Sequence, residues 1–236
     1  MPLGVCTLIP YSVPHGEIIQ RKLVICPLCE KRKAKRYCPA EGEMICAICC
    51  GEKREVSIDC PSECPYLIAA HRWEREHRKP IARDSVPYPD LDIPMHLVHE
   101  RRPVISGLGF TILKSASESR ELNDTDVIDA ISALADTYRT LGTGLYYEKP
   151  PEGPVARTLY GHLAAFFAEL KKEETQQTGF GGLKDSQAYQ LLVFLLRVAK
   201  YETNGRPRSR AFLEFLRAQF PRSPETQPKP SRIIVP

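Results

Sequence analysis

The clearest signal in the chain is a helical rhythm of apolar positions from Asn123 onward. In DTDVIDAISALADTYRTLG, Val127, Ile128, Ile131, Leu134, Ala135, Tyr138 and Leu141 recur at three- and four-residue spacing and line one face. Asn123, Asp124 or Thr125 can cap the start, and Gly142 can stop the end. A second helix opens at Pro154 and carries Val155, Leu159, Leu163, Phe166, Phe167 and Leu170. A third opens near Asp185 and Ser186; its run LLVFLLRVA is apolar nearly all round, which predicts the buried helix of the set. Gly205 and Pro207 punctuate its end, and Ser209 can cap a fourth helix with Phe212, Leu213, Leu216 and Phe220 facing inward.

Upstream the pattern changes. PYLIAAHRWEREHRK, residues 65–79, reads as one helix with Pro65 in its first turn and Pro80 at its end. Residues 80–120 carry Pro80, Pro87, Pro89, Pro94 and Pro103 and read as a linker, in which Met95–His99 and Pro103–Leu113 are expected as short strands. Residues 1–22 read as an extended lead-in broken by Pro2, Pro10 and Pro14, and the Pro-rich tail 221–236 as disordered. The expected fold is therefore mainly α: a small cysteine-rich module at 23–79, including its following helix, then a helical bundle of about four helices at 121–220.

Composition adds limits. A hydrophobic content of 42% is enough for a sizeable core. A net charge of +4 does not by itself demand a nucleic-acid or membrane partner. No stretch reaches the roughly 18 apolar residues of a membrane span. The segment MPLGVCTLIPYSVPHGE lacks the basic and long apolar regions of a secretory signal, so a cytoplasmic protein is expected.

Eight of the nine cysteines fall between Cys26 and Cys64. Cys26/Cys29 and Cys46/Cys49 have C-x2-C spacing, Cys60/Cys64 has C-x3-C, and Cys38 and Cys50 complete the set. A two-residue gap folds into a tight knuckle that points both thiolates at one ion, and zinc takes four such ligands in a tetrahedron. Buried free thiols, disulfides and an iron–sulfur cluster are the alternatives; random burial does not generate this spacing, and a reducing compartment disfavours disulfides. Eight thiolates suit about two zinc ions and leave no open position for catalysis.

On Cys26-x2-Cys29, Cys38-x2-Glu41, Cys46-x2-Cys49, Cys60-x3-Cys64 and the triplet Tyr37-Cys38-Pro39, the segment resembles the cross-brace zinc fingers of the B-box and HIT types. The likeness covers about forty residues. It departs in the fourth pair, where cysteines replace the usual histidines, and at Glu41, which stands where those fingers have Cys or an acidic residue. The resemblance implies that the first and third pairs share one ion: Cys26, Cys29, Cys46 and Cys49. Cys38, Cys50, Cys60 and Cys64 would hold the other, with Glu41 as the alternative to Cys50. It also implies a role in protein–protein interaction.

Two basic stretches stand out. KRKAKR contributes Lys31, Arg32, Lys33, Lys35 and Arg36, and NGRPRSRAF contributes Arg206, Arg208 and Arg210 at the junction of the third and fourth helices. Each can contact phosphate. Each also has a plain reading, as a solvated finger loop and as a turn pairing with nearby carboxylates. Residues 26–64 hold seven Lys/Arg against seven Asp/Glu, which favours the first of these. His71 and His77 are six apart and do not share a helix face; they read as solvated or half-buried, with His71 as a substitute ligand the lesser reading. GFGGL at 179–183 lacks the lysine of a phosphate-binding loop and reads as a turn. No catalytic constellation is visible, and an enzyme is not expected. The expected function is a structural zinc module that binds another protein, with nucleic-acid binding through residues 31–36 and 206–210 as the alternative.

Overall fold

A computed structural model describes residues 24–142, 144, 147–179 and 182–220. The lead-in at 1–22, the tail at 221–236 and two residues of the GFGGL turn lie outside them. The described chain is mostly helical, with one two-stranded sheet near its start.

The cysteine-rich module opens on a hairpin, β1 (Arg36–Cys38) against β2 (Glu43–Ile45). The strands are antiparallel, with Arg36 opposite Ile45, Tyr37 opposite Met44 and Cys38 opposite Glu43. Gly42 closes the turn at a φ of 70°, a conformation that glycine adopts without a Cβ clash. Alternation then sends Cys38 and Ile45 inward while Tyr37 and Met44 stay exposed. Two short steps follow: helix α1 (Ala47–Lys53), then α2 (Pro65–Glu76), which carries Pro65 at its first turn, where a missing N–H costs nothing.

After a single 3₁₀ turn at Arg83–Ser85 come α3 (Met95–Glu100) and α4 (Arg102–Glu118). These are the segments expected as strands, and both are helical. The reason is burial: Val104, Leu108 and Ile112 fall four residues apart and bury one stripe of α4, while Pro103 sits harmlessly in its first turn. Two glycines on that helix permit close approach. A Cβ at Gly107 would come within 2.5 Å of the Phe166 ring, and one at Gly109 within 3.2 Å of Phe220.

The remaining helices are α5 (Asp124–Leu141), α6 (Pro154–Thr178), α7 (Asp185–Glu202) and α8 (Ala211–Gln219). Asn123 and Asp126 form a reciprocal capping box at the start of α5. Helix α5 packs along α7 and α6, α4 crosses α6, and α8 closes against α4 and α7. Ile131, Leu134, Leu163, Phe167, Leu191, Leu192 and Phe212 fill the centre. The module has its own small core of Ala34, Ile45, Ile58 and Leu67 set among the cysteines.

Candidate metal centre and its junction with the bundle

Cys26 and Cys29 are brought together by a tight turn. The N–H groups of Cys29 and Glu30 both donate to the carbonyl of Cys26, at 3.4 and 2.7 Å, and Glu30 takes a φ of 52° to reverse the chain. Cys46 occupies the position before α1, where its sulfur accepts the N–H of Cys49 at 3.3 Å. The sulfur of a C-x2-C pair thus does the work that a Ser or Asp oxygen does in an ordinary N-cap. The sulfurs of Cys29 and Cys46 lie 4.0 Å apart, and all four, Cys26, Cys29, Cys46 and Cys49, lie within 4.8 Å of one another. Tetrahedral zinc at about 2.3 Å from each sulfur needs neighbours roughly 3.8 Å apart, so the set fits such an ion with small adjustments.

The electrostatics point the same way. The backbone N–H of Lys31 holds the Cys29 thiol down to about 6 against the opposing effect of burial, helped by Arg32, whose guanidinium also donates to that sulfur. Burial raises Cys26, but backbone N–H groups of Cys46, Leu28 and Cys29 outweigh it and lower the thiol. Burial and the neighbouring sulfurs push Cys49 up to about 12. Four crowded thiolates repel each other, and a soft dication is the partner that removes the conflict.

Cys38, Cys50, Cys60 and Cys64 are buried in the same core, and none of the eight cysteines is in a disulfide. Cys38 ends β1, Cys50 lies in α1, and Cys64 is the cap residue of α2. Burial pushes Cys60 up to about 11, with Cys64 and Cys38 close enough to add repulsion. Cys50 faces two guanidiniums, Arg36 at 3.6 Å and Arg54 at 4.0 Å. Among the described residues no second set of three or more ligands converges as closely as the first. Glu41 is exposed in the hairpin turn and belongs to no converging set.

The module meets the bundle through ions rather than through oil. Glu55 adopts a φ of 52°, unusual for a residue with a side chain, and its carboxylate is buried with only 1% exposure. It binds the Nε2 of His71 at 2.9 Å, the side-chain amide of Asn204 at 2.7 Å and the N–H of Arg210 at 3.2 Å. The Nδ1 of His71 binds Glu214 of α8 at 2.7 Å. Burial alone would lower the imidazole, but Glu214 and Glu55 hold its proton up to about 10. His71 is therefore an imidazolium clamped between a module carboxylate and a bundle carboxylate.

No known protein family, curated protein or solved structure matches this chain.

The arginines near the bundle's third connection serve this junction. Arg206 donates to the carbonyl of Arg54 at 2.9 Å and lies 3.5 Å from Glu74. Arg210 reaches Asp59 at 2.7 Å and the carbonyl of Leu122. Arg208 is exposed, and its backbone N–H donates to the carbonyl of Glu55 at 2.8 Å. Of the first basic run, Lys31, Lys33 and Lys35 are exposed, while Arg32 and Arg36 turn toward sulfur. Glu55, Asn204 and Glu214 carry no local sequence signal: the His71–Glu214 pair is separated by 143 residues.

Proposed function

We propose that the chain is a zinc-binding protein whose cysteine-rich module is structural and serves to bind another protein. The observation that carries this reading is the closed quartet Cys26, Cys29, Cys46 and Cys49, four thiols converging where one ion would sit. Four sulfurs fill a tetrahedron, so the metal has no open position at which to activate water or substrate. The gathering of Cys38, Cys50, Cys60 and Cys64 in the adjoining core supports a second ion, with Glu41 in place of Cys50 the alternative. A reducing cytosol would keep all eight thiols available. The partner-binding surface is the outer face of the hairpin, where Tyr37 stands 56% exposed directly opposite Met44, with exposed Ile48 on the neighbouring α1.

Elemental analysis of protein purified without added metal tests the first part. About two zinc ions per chain are expected, falling to about one in Cys49→Ser; no zinc, or iron with visible absorbance, overturns it. The partner is tested by capture from native extract with the wild-type chain and a Tyr37→Ser, Met44→Ser variant. The variant should keep its zinc and lose the captured protein.

A further inference from the structure

The two basic stretches, separated by some 170 residues of sequence, meet at one place. An open cleft of about 400 Å³ lies along α2 beside β1 and α1, lined by Arg36, Arg54 and Arg206 together with Tyr66, Trp73 and Glu74. Arg36 comes from the KRKAKR run and Arg206 from the turn before α8. The guanidinium of Arg36 lies over the Tyr66 ring, 4.7 Å from its centre. Trp73 is 60% exposed and stacks on His77 at 4.4 Å with the rings 16° from parallel.

The charges in the cleft do not cancel. Arg206 pairs with Glu74, but among the described residues Arg36 and Arg54 have no carboxylate partner: both reach the sulfur of Cys50, and Arg36 also covers the Tyr66 ring. Two guanidiniums with no carboxylate partner can turn donors toward phosphate, for which arginine's planar fork is suited. Flat rings held beside them add something that phosphate alone does not need: a surface on which a base stacks. An exposed tryptophan, pre-oriented by His77, is a poor use of apolar area unless something covers it.

We propose that this cleft binds single-stranded nucleic acid, with a base stacked on Trp73 and the adjoining phosphates held by Arg36, Arg54 and Arg206. This site is separate from the Tyr37–Met44 face and does not depend on the identity of a protein partner. A phosphopeptide would satisfy the arginines but leave the ring pair unused, and a duplex keeps its bases stacked on each other and unavailable.

The single tryptophan of the chain makes the test direct, because emission reports on Trp73 alone. The full-length, metal-replete protein is titrated with a twelve-nucleotide oligothymidylate at low salt. Quenching is expected, with log affinity falling against log salt at a slope of about −2, as three phosphates at roughly −0.7 each would give. Arg36→Gln, compared with wild type at matched metal content because Arg36 also donates to the Cys50 sulfur, should weaken binding about tenfold or more. Trp73→Ala, followed by anisotropy of a labelled oligonucleotide, should also lose about tenfold, and its exposed position makes misfolding an empty explanation. Arg206→Gln is not relied on, because Arg206 also holds the junction. The proposal is overturned by an absence of quenching, by equal binding of Arg36→Gln and wild type, by a duplex binding as tightly, or by thymidine monophosphate or a phosphotyrosine peptide matching the oligomer.

Discussion

The module buries Ala34, Ile45, Ile58 and Leu67 beside its cysteines, while the bundle buries Leu, Ile and Phe side chains from six helices. A core of four modest apolar residues cannot offset the conformational entropy of some forty ordered ones. The bundle can, because long amphipathic helices bury whole stripes against each other. On the proposed reading the two regions answer to different agents, metal in one and water in the other. Yet they share a boundary made of fixed charges. A region proposed to fold by coordination thus meets one that folds by burial, through Glu55, His71 and Glu214.

Removing metal should break the comparison most dramatically. Structural zinc contributes on the order of 10 kcal/mol per site, so a chelator should unfold residues 23–66. Hydrogen exchange should show α5, α6 and α7 still protected, because they pack chiefly on one another. Exchange at the start of α8 should rise, since the N–H of Arg210 loses Glu55 and His71 is left with Glu214 alone. Collapse of all helices together would mean that the bundle has no independent stability.

A smaller effect tests the other side. Phe167→Ala deletes a fully buried ring and should cost about 3–5 kcal/mol in denaturant unfolding while zinc content stays the same. Loss of metal with that substitution would show that the two cores are one.

The boundary itself should give the smallest signal and a definite pH window. His71 keeps its proton to about 10, above the 6.5 of a free imidazole, so its contribution is complete below 6.5 and lost as pH climbs through 10. Burial raises Glu55, but His71 outweighs it and holds the carboxyl below its ordinary value; that contribution is present above the usual carboxylate range and lost as pH falls through the lowered value. Stability should therefore decline progressively between 6.5 and about 10, and fall again in strong acid. His71→Ala leaves Glu55 and Glu214 facing each other and should cost about 3 kcal/mol and abolish the alkaline step. An alkaline transition unchanged in that variant would assign it to another group.

What the sequence disclosed depended on distance along the chain. The period of Val127 to Leu141 and the caps at Asn123 are local, and α5 forms where they place it. The C-x2-C pairs are local as well, and the quartet of Cys26, Cys29, Cys46 and Cys49 is the set that the resemblance to cross-brace fingers implied. Helix α4 misled because Ile105, Thr111 and Ile112 favour strands and Gly107 and Gly109 disfavour helix, whereas packing on Phe166 and Phe220 rewards both glycines. The junction was illegible for a different reason. Glu55 and Glu214 look like any surface acids until the fold closes a loop of more than a hundred residues around His71.

Helix α2 begins at Cys64 and passes His71 before reaching Trp73. At 1.5 Å per residue, Trp73 lies about 13 Å along the axis from Cys64, so a tilt of about 10° at that end displaces the indole by roughly 2 Å. Mechanically the helix is a beam with one support at its root and another near mid-span. Releasing either support converts a fixed platform into a swinging arm, and the aim of the indole then depends on which support is left.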